Sequence, residues 1–231
     1  MRFVLISDTH EQHDRTKVPD GDVLIHAGDF TWCGSIPAVA RFANWLEALP
    51  HKTKIVIAGN HDILFEDNNL LAREMLEDVC TYLQDSGVII PAPDIRPAGH
   101  LKIWGSPWSP KFSTGWVFNL MDAKQSKRVW DLIPTDTDIL ITHCPPHGTL
   151  DSMLRYEHHY DAQPSQIEFT GCPYLLQELD RVRPRLHVFG HIHPQHGRVD
   201  SAQLKTIFVN ASIYNDDSDI LNQPIVIDIG N

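Results

Sequence analysis

Two spacings of apolar residues recur along the chain and predict its secondary structure. Short runs rich in β-branched residues predict buried strands at 2–7, 22–27, 54–58, 87–91, 101–105, 138–142, 186–190, 205–210 and 224–229. Apolar residues three and four positions apart predict helices at about 36–49, 68–85, 122–132 and 172–183. Strand and helix alternate in the first third, which is typical of an α/β fold, and the later strands are expected to form a second sheet. Because no repeat or linker interrupts the pattern, we expect one domain over residues 1–231.

Five of the predicted strands end directly in side chains that bind metal ions. These side chains are three Asp, one Asn and five His: Asp8, His10, Asp29, Asn60, His61, Asp62, His143, His191 and His193. In open α/β sheets, ligands bind just beyond the carboxyl ends of the strands. If these strands are parallel neighbours, they bring too many oxygen and nitrogen donors into one crevice for a single ion. The pattern therefore predicts two ions.

The donor types indicate which metals and which chemistry to expect. Mixed carboxylate and imidazole ligands suit Mn, Fe or Zn better than Ca or Mg. Asp29 is the only unpaired carboxylate at the strand ends, so its two oxygens can bridge two ions. Two ions about 3.5–4 Å apart clamp phosphorus for in-line displacement and activate a bridging water as the attacking hydroxide. Asp-x-His or Gly-Asp alone is more often a turn or a cap, but five such motifs in order at strand ends favour a functional site.

The same motifs resemble the signature of a known superfamily, the calcineurin-like metallophosphoesterases. The residues that carry this resemblance are Asp8-x-His10, Gly28-Asp29, Gly59-Asn60-His61-Asp62, His143 and Gly190-His191-x-His193. Further segments resemble the metallophosphoesterase-domain-containing (MPPED) branch of class III phosphodiesterases: Trp104–Trp108, Phe118-Asn119, Thr142–Pro146, His187–His193 and Val209–Ser212. The resemblance runs from residue 3 to about residue 212. It implies an α/β four-layer sandwich, in which two mixed β-sheets lie face to face and are flanked by helices.

The resemblance also implies a role for each residue at the strand ends. The ligands of one divalent ion would be Asp8, His10 and His193, those of the second Asn60, His143 and His191, and Asp29 would bridge the two ions. His61 would protonate or polarise the leaving oxygen, and Asp62 would orient His61 by accepting its other N–H. The substrate would be contacted by Asn60, His61 and His143. Asn210, which ends another strand, is a further substrate-binding candidate, although a turn cap explains it equally well.

One departure from the superfamily pattern indicates the substrate class. The branch that dephosphorylates Ser and Thr extends Gly-Asp into Gly-Asp-x-Val-Asp-Arg-Gly, whereas this chain reads Gly28-Asp29-Phe30-Thr31-Trp32. The arginine that clamps a doubly charged phosphomonoester is missing, which favours singly charged diesters. We therefore expect a phosphodiesterase, with cyclic nucleotides among its candidate substrates. The alternatives are a phosphomonoesterase acting on nucleotides or phosphoproteins, and a nucleotide-binding scaffold protein of low activity.

Composition and charge restrict the partners. With 19 basic and 30 acidic residues the formal charge is −11, which argues against binding to nucleic acid or to an anionic membrane. No run approaches the roughly 20 apolar residues of a membrane span. Four scattered cysteines and the lack of a signal sequence favour a cytoplasmic protein. We expect a small-molecule phosphodiester or nucleotide substrate, with specificity determined by the long loops 106–122 and 145–170, where His158-His159 can line a pocket mouth.

Overall fold

Two β-sheets with helices on their outer sides form the protein. The structure, a computed structural model, describes residues 1–95, 99–155, 166–216 and 221–230. The helices in these residues are α1 (Ile36–Ala48), α2 (Leu64–Asp67), α3 (Asn69–Glu74), α4 (Ala123–Trp130) and α5 (Pro173–Val182). The strands are β1 (Arg2–Ile6), β2 (Val23–Ala27), β3 (Thr53–Ile57), β4 (Thr81–Tyr82), β5 (Ser86–Pro91), β6 (His100–Ser106), β7 (Ser109–Pro110), β8 (Asn119–Leu120), β9 (Ile139–Thr142), β10 (Ser152–Arg155), β11 (Gln166–Phe169), β12 (Leu186–Phe189), β13 (Gly197–Ser201), β14 (Thr206–Asn210) and β15 (Ile225–Asp228). In the described ranges, no helix combines the length and the apolar character needed to cross a membrane.

Both large sheets are mixed. The first has the strand order β15-β1-β2-β3-β4, in which β15 is antiparallel to β1 and the other pairs are parallel. The second has the order β13-β14-β12-β9-β6-β5, with parallel pairs in the centre and antiparallel pairs at both edges. Two small ribbons, β7–β8 and β10–β11, lie within the loops predicted at 106–122 and 145–170.

The sheets face each other across the main hydrophobic core. Because side chains alternate along a strand, Phe3 and Leu5 of β1 pack between the sheets, whereas Val4 and Ile6 join the cluster that contains α1. The outer face of the second sheet packs in a third cluster with α4 and α5. The layers are therefore helix, sheet, sheet and helix. The predicted α/β class, with two mixed sheets face to face, is confirmed.

The prediction of one long helix at 68–85 is wrong. Asn68 separates α2 from α3 and caps α3, because its side-chain oxygen accepts the backbone N–H of Leu71 at 3.4 Å. Thr81 and Tyr82 then form β4, which pairs with β3. Thr and Tyr favour strands, and this pairing overrides the helical spacing of the apolar residues before them. The predicted position of His158-His159 lies outside the described residues.

Helix α1 begins as its sequence predicts. Ser35 is the N-cap, and its hydroxyl oxygen accepts the backbone N–H of Ala38 at 3.3 Å. We expect Ser35→Ala to lower the free energy of unfolding by about 1 kcal/mol, measured by urea denaturation. Ser35→Asp is the matched control, because it keeps an acceptor at the cap and is expected to unfold like the parent protein. Equal losses in both variants would contradict the assigned cap.

Candidate metal centre

The predicted ligands lie where the carboxyl ends of strands from both sheets meet. Asp8, Asp29 and Asn60 follow β1, β2 and β3 of the first sheet. His143 and His191 follow β9 and β12 of the second sheet. A parallel bridge joins the segments that follow β1 and β14, so the two sheets are in backbone contact at this edge. The nine side chains are thus collected at a seam between two sheets, rather than along neighbouring strands of one sheet.

Two glycines in the motifs allow the ligands to approach one another. A Cβ atom added at Gly59 would lie 2.6 Å from the backbone nitrogen of Asp29 and 2.6 Å from Cε1 of His143. A Cβ atom added at Gly190 would collide with the carboxylate of Asp8. Because the contacted atoms belong to the candidate ligands or their backbone, a larger residue at either position would displace the site itself.

The backbone of four predicted ligands is in the left-handed region. The φ angles are 51° at Asp8, 41° at His10, 56° at Asp29 and 67° at His191. Residues with a Cβ rarely adopt such angles. Each residue held at such an angle lowers the stability of the fold by about 1–3 kcal/mol, and residues of this kind cluster at functional sites. The backbone at the seam is therefore held against its local preference by the surrounding structure.

The first group of candidate ligands comprises Asp8, His10 and His193, whose ligand atoms lie within 4.8 Å of one another. Nδ1 of His10 faces the carbonyl oxygen of Thr31 at 3.3 Å, and Nδ1 of His193 faces the carboxylate of Asp216 at 2.9 Å. Each Nδ1 therefore carries a proton as a donor, which leaves each Nε2 as the ring atom that faces the candidate metal position. The two Nε2 atoms are 3.2 Å apart. Two ring nitrogens at this distance require a cation between them, either the extra proton of His193 or a metal ion that replaces it, so the geometry fits a metal ion.

The second group comprises Asp29, His143 and His191, again within 4.8 Å of one another. Nδ1 of His143 donates to the carbonyl oxygen of Ala27 at 2.9 Å, so its Nε2 is the ring atom that faces the candidate metal position. This Nε2 faces Oδ1 of Asn60 at 3.0 Å and Oδ2 of Asp29 at 3.2 Å. When Nε2 loses its proton, three acceptor atoms converge here, which is an arrangement that can hold a divalent cation.

Asp29 lies between the two groups. Its Oδ2 is 4.0 Å from Nε2 of His10 in the first group and 3.2 Å from Nε2 of His143 in the second. Its Oδ1 accepts the backbone N–H of His61 at 2.8 Å, which fixes the orientation of the carboxylate. Oδ2 of Asp29 is therefore the atom that lies between the two groups of candidate ligands.

Burial and neighbouring charges give the histidines contrasting pKa values. Burial lowers the pKa of His10 to about 4 and that of His191 to about 3, so both rings are neutral and able to bind a cation at pH 7. Burial also opposes protonation of His143 and His193, but Asp29 raises the pKa of His143 to about 9, and two carboxylates raise that of His193 to about 10. The protons that His143 and His193 hold at pH 7 lie where metal ions would bind, and metal binding would release them.

Asp62 does not contact the side chain of His61 in the predicted way. Nδ1 of His61 lies 2.9 Å from the carbonyl oxygen of Trp32. The carboxylate of Asp62 instead accepts the backbone N–H groups of Asp29 and Thr31 at 2.9 and 3.0 Å. The prediction that Asp62 orients His61 is wrong, because these backbone donors already occupy this buried carboxylate. Asp62 joins the loops after β2 and β3, and burial together with Asp29 raises its pKa to about 7.

Asn210 is likewise engaged within the protein. Its Nδ2 donates to the carbonyl oxygen of Ile192 at 2.9 Å, and its Oδ1 accepts the backbone N–H of Ser212 at 3.1 Å. The side chain is fully buried. Asn210 does not line the cavity beside the candidate centre, and its hydrogen bonds fit the role of a turn cap.

A cavity of about 550 Å³ lies against the candidate centre. Asn60 and His61 line the cavity. His143 is fully buried and does not line it, so its place in the site is that of a candidate metal ligand. The two long loops supply further wall residues: Pro110, Lys111, Phe112, Met153, Glu168 and Thr170. The loops that the sequence suggested for specificity therefore border the cavity.

Three aromatic residues that contact predicted site residues are not marked by any clear sequence pattern. Trp32 stacks on His10 with ring centroids 4.3 Å apart, and Trp116 packs against His61 at 3.9 Å. The edge of Tyr214 lies 5.3 Å from His10. Aromatic residues crowd the loop around Trp116, but packing beneath a loop accounts for such crowding equally well. No motif marks Trp32 or Tyr214.

Comparisons with known proteins agree with this geometry. Residues 1–195 match the calcineurin-like phosphoesterase family. The chain is 41% identical over 251 residues to metallophosphoesterase domain-containing protein 1 of Homo sapiens and of Mus musculus, with 99% of this chain and 71% of each relative covered. A UPF0046 protein of Caenorhabditis elegans is 38% identical over 240 residues, covering 98% of this chain and 74% of the relative. The crystal structure of TT1561 of Thermus thermophilus has a similar fold, with a TM-score of 0.54 at 11% identity over 90% of this chain and 88% of that one. Family match, sequence identity and the geometry of the strand ends together show that the chain belongs to the calcineurin-like phosphoesterase family.

Proposed function

We propose that the protein is a dinuclear, divalent-metal-dependent phosphodiesterase. Its family supports the hydrolysis of phosphoric esters with divalent metals. The observation that supports two ions rather than one is the position of Asp29, which lies between two separate groups of converging ligand atoms. The proposed ligands are Asp8, His10 and His193 for the first ion, and Asn60, His143 and His191 for the second, with Asp29 shared.

The proposed ions are Mn²⁺, with Fe, Zn, Mg or Co as alternatives, because the donor set mixes imidazole with carboxylate and amide oxygen. When bound, such a pair of ions neutralises the phosphoryl oxygens and lowers the pKa of a water molecule that attacks phosphorus. The residues of the chain hold this arrangement rigid. The ring N–H groups of His10 and His143 are committed to backbone carbonyl oxygens, so neither ring can turn away from the centre.

His61 is the proposed general acid. Its Nδ1 is held by the carbonyl oxygen of Trp32 at 2.9 Å, its ring packs against Trp116, and the residue lines the cavity. The Nε2 atom is the ring nitrogen left for the substrate. In the doubly protonated ring, Nε2 also carries a proton, which would pass to the oxygen of the departing alcohol and leave a neutral imidazole that still donates from Nδ1. General acid catalysis of this kind contributes about 10²–10⁴-fold in rate.

The charges of the cavity favour a diester over a monoester. Beyond the proposed ligands, its described lining includes one basic side chain, Lys111, and two acidic ones, Glu168 and Asp216. A phosphomonoester carries a second negative charge, which the single lysine of this lining does not balance. The sequence also has no arginine after Asp29 to bind that charge. The formal charge of −11 favours a small-molecule diester, such as a cyclic nucleotide, over nucleic acid.

We expect bis-p-nitrophenyl phosphate to be hydrolysed with a kcat/KM at least about tenfold above that for p-nitrophenyl phosphate, which corresponds to about 1.4 kcal/mol in the transition state. Both assays are run with Mn²⁺, and Asp29→Asn is the control, since activity from this centre must be lost toward both esters. Faster cleavage of the monoester would instead support a phosphatase acting on nucleotides or phosphoproteins. Tight nucleotide binding with no turnover of either ester would support a scaffold protein. A panel of cyclic nucleotides and linear diesters then narrows the substrate class.

A further inference from the structure

We infer that Asp216 is a positioning residue that strengthens the first metal site selectively and makes the two ions bind with unequal affinity. This inference rests on the proposed function, because it concerns the same pair of sites. Asp216 belongs to the segment after β14, outside the strand-end motifs, and it lines the cavity.

Backbone hydrogen bonds hold this segment across the seam. Leaving β14 of the second sheet, the chain runs beside the end of β1 in the first sheet. The backbone N–H of Ile213 donates to the carbonyl oxygen of Ser7 at 2.8 Å, and that of Tyr214 donates to the carbonyl oxygen of Asp8 at 3.1 Å. Because two successive residues are tied to the end of β1, the chain carries Asp216 directly to the first group of ligands.

The carboxylate of Asp216 contacts a candidate ligand directly. Its Oδ1 lies 2.9 Å from Nδ1 of His193. The corresponding ring nitrogens of His10 and His143 face backbone carbonyl oxygens, which carry no net charge. A carboxylate on the far nitrogen of a ligating histidine fixes its tautomer and its orientation, and increases the basicity of the ligating nitrogen. Asp216 gives this support to His193 in the first group, which makes the two groups electrostatically different.

The ordinary alternative is a surface ion pair at the rim of the cavity. The side chain of Asp216 is 48% exposed, and exposed pairs contribute at most about 1 kcal/mol to stability. A rim pair predicts no change in metal affinity when the carboxylate is removed. Metal affinity therefore separates the two explanations, whereas stability or activity alone would not.

The experiment is a calorimetric titration of the metal-free protein with Mn²⁺. We expect two phases in the parent protein. In Asp216→Asn one phase should weaken by about 10–100-fold and the other should be unchanged. The matched control is Asp200→Asn, which removes an exposed carboxylate paired with Arg198 on β13 and should leave both phases unaltered.

A double-mutant cycle with His193→Ala tests whether Asp216 acts through His193. In that background the first site has lost the histidine that Asp216 contacts and keeps His10, so adding Asp216→Asn should not change the remaining affinity further. An equal loss with and without His193, an equal weakening of both phases, or an unchanged titration in Asp216→Asn would each overturn the inference. If the parent protein bound only one Mn²⁺ or none, the proposed dinuclear centre itself would fail, and that result is visible before any variant is examined.

Discussion

Removal of divalent metal will abolish hydrolysis of phosphate esters, and Mn²⁺ will restore it. The reason is that the seam offers acceptor atoms in excess: Nε2 of His10 and Nε2 of His193 face each other at 3.2 Å, and three acceptors converge between His143, Asn60 and Asp29. Without the metal ions no group of this cluster would activate a water molecule for attack on phosphorus. The ions supply several kcal/mol of transition-state stabilisation, so the rate should fall by at least about 10³-fold.

The measurement is turnover of bis-p-nitrophenyl phosphate after exhaustive chelation and exchange into metal-free buffer, with residual metal determined by mass spectrometry. Ca²⁺ is the matched control for Mn²⁺, because a centre rich in imidazole binds it poorly. Circular dichroism before and after chelation separates loss of the ions from loss of the fold. Full activity in protein shown to contain no metal would rule out the proposed mechanism.

Replacing His61 by alanine will lower kcat by about 10²–10⁴-fold while both ions remain bound. The side chain is the proposed acid, whereas the hydrogen bond from this residue to Asp29 comes from its backbone N–H, which donates to Oδ1 at 2.8 Å. Alanine keeps that hydrogen bond, so the bridging position should survive. A diester with a much better leaving group should lose less activity, because a good leaving group needs less protonation.

Metal content is the decisive control for His61. Its ring atoms also form a third candidate group with His10 and Asp29, within 4.8 Å of one another. If metal is lost in proportion to activity, His61 is a ligand and not the acid. His147→Ala removes a partly exposed histidine beside Phe169 of β11 and is expected to change neither metal content nor activity.

The strand ends were predictable because apolar runs and polar tips are local properties of the sequence. The runs before Asp8, Asp29 and Asn60 form β1, β2 and β3. The strand ends do meet at one site, but the strands are not all neighbours in one sheet, since His143 and His191 follow strands of the second sheet. Which strands pair depends on contacts between residues far apart in the chain, and periodicity carries no such information.

The hydrogen-bond partners of the site residues are harder to predict from the sequence. The motif suggests that Asp62 supports His61, because a carboxylate often accepts a hydrogen bond from a catalytic imidazole. In the folded chain the Asp62 carboxylate instead accepts hydrogen bonds from the backbone N–H groups of Asp29 and Thr31. Asp216 had no signal because no apolar run ends there. Its position follows from backbone bonds that cross between sheets. A hydrogen-bond partner is a property of the folded chain, whereas a residue type at a strand end is not.

The seam between the two sheets divides each candidate site into halves. Asp8 and His10 come from the first sheet and His193 from the second, while Asp29 and Asn60 face His143 across the same boundary. Neither sheet alone offers a complete set of ligands, so a partly folded chain cannot capture either ion in its final geometry. Once both sheets are in place, each ion would link residues of one sheet to residues of the other. Metal binding would then stabilise the contact between the sheets beyond what their shared hydrophobic core provides.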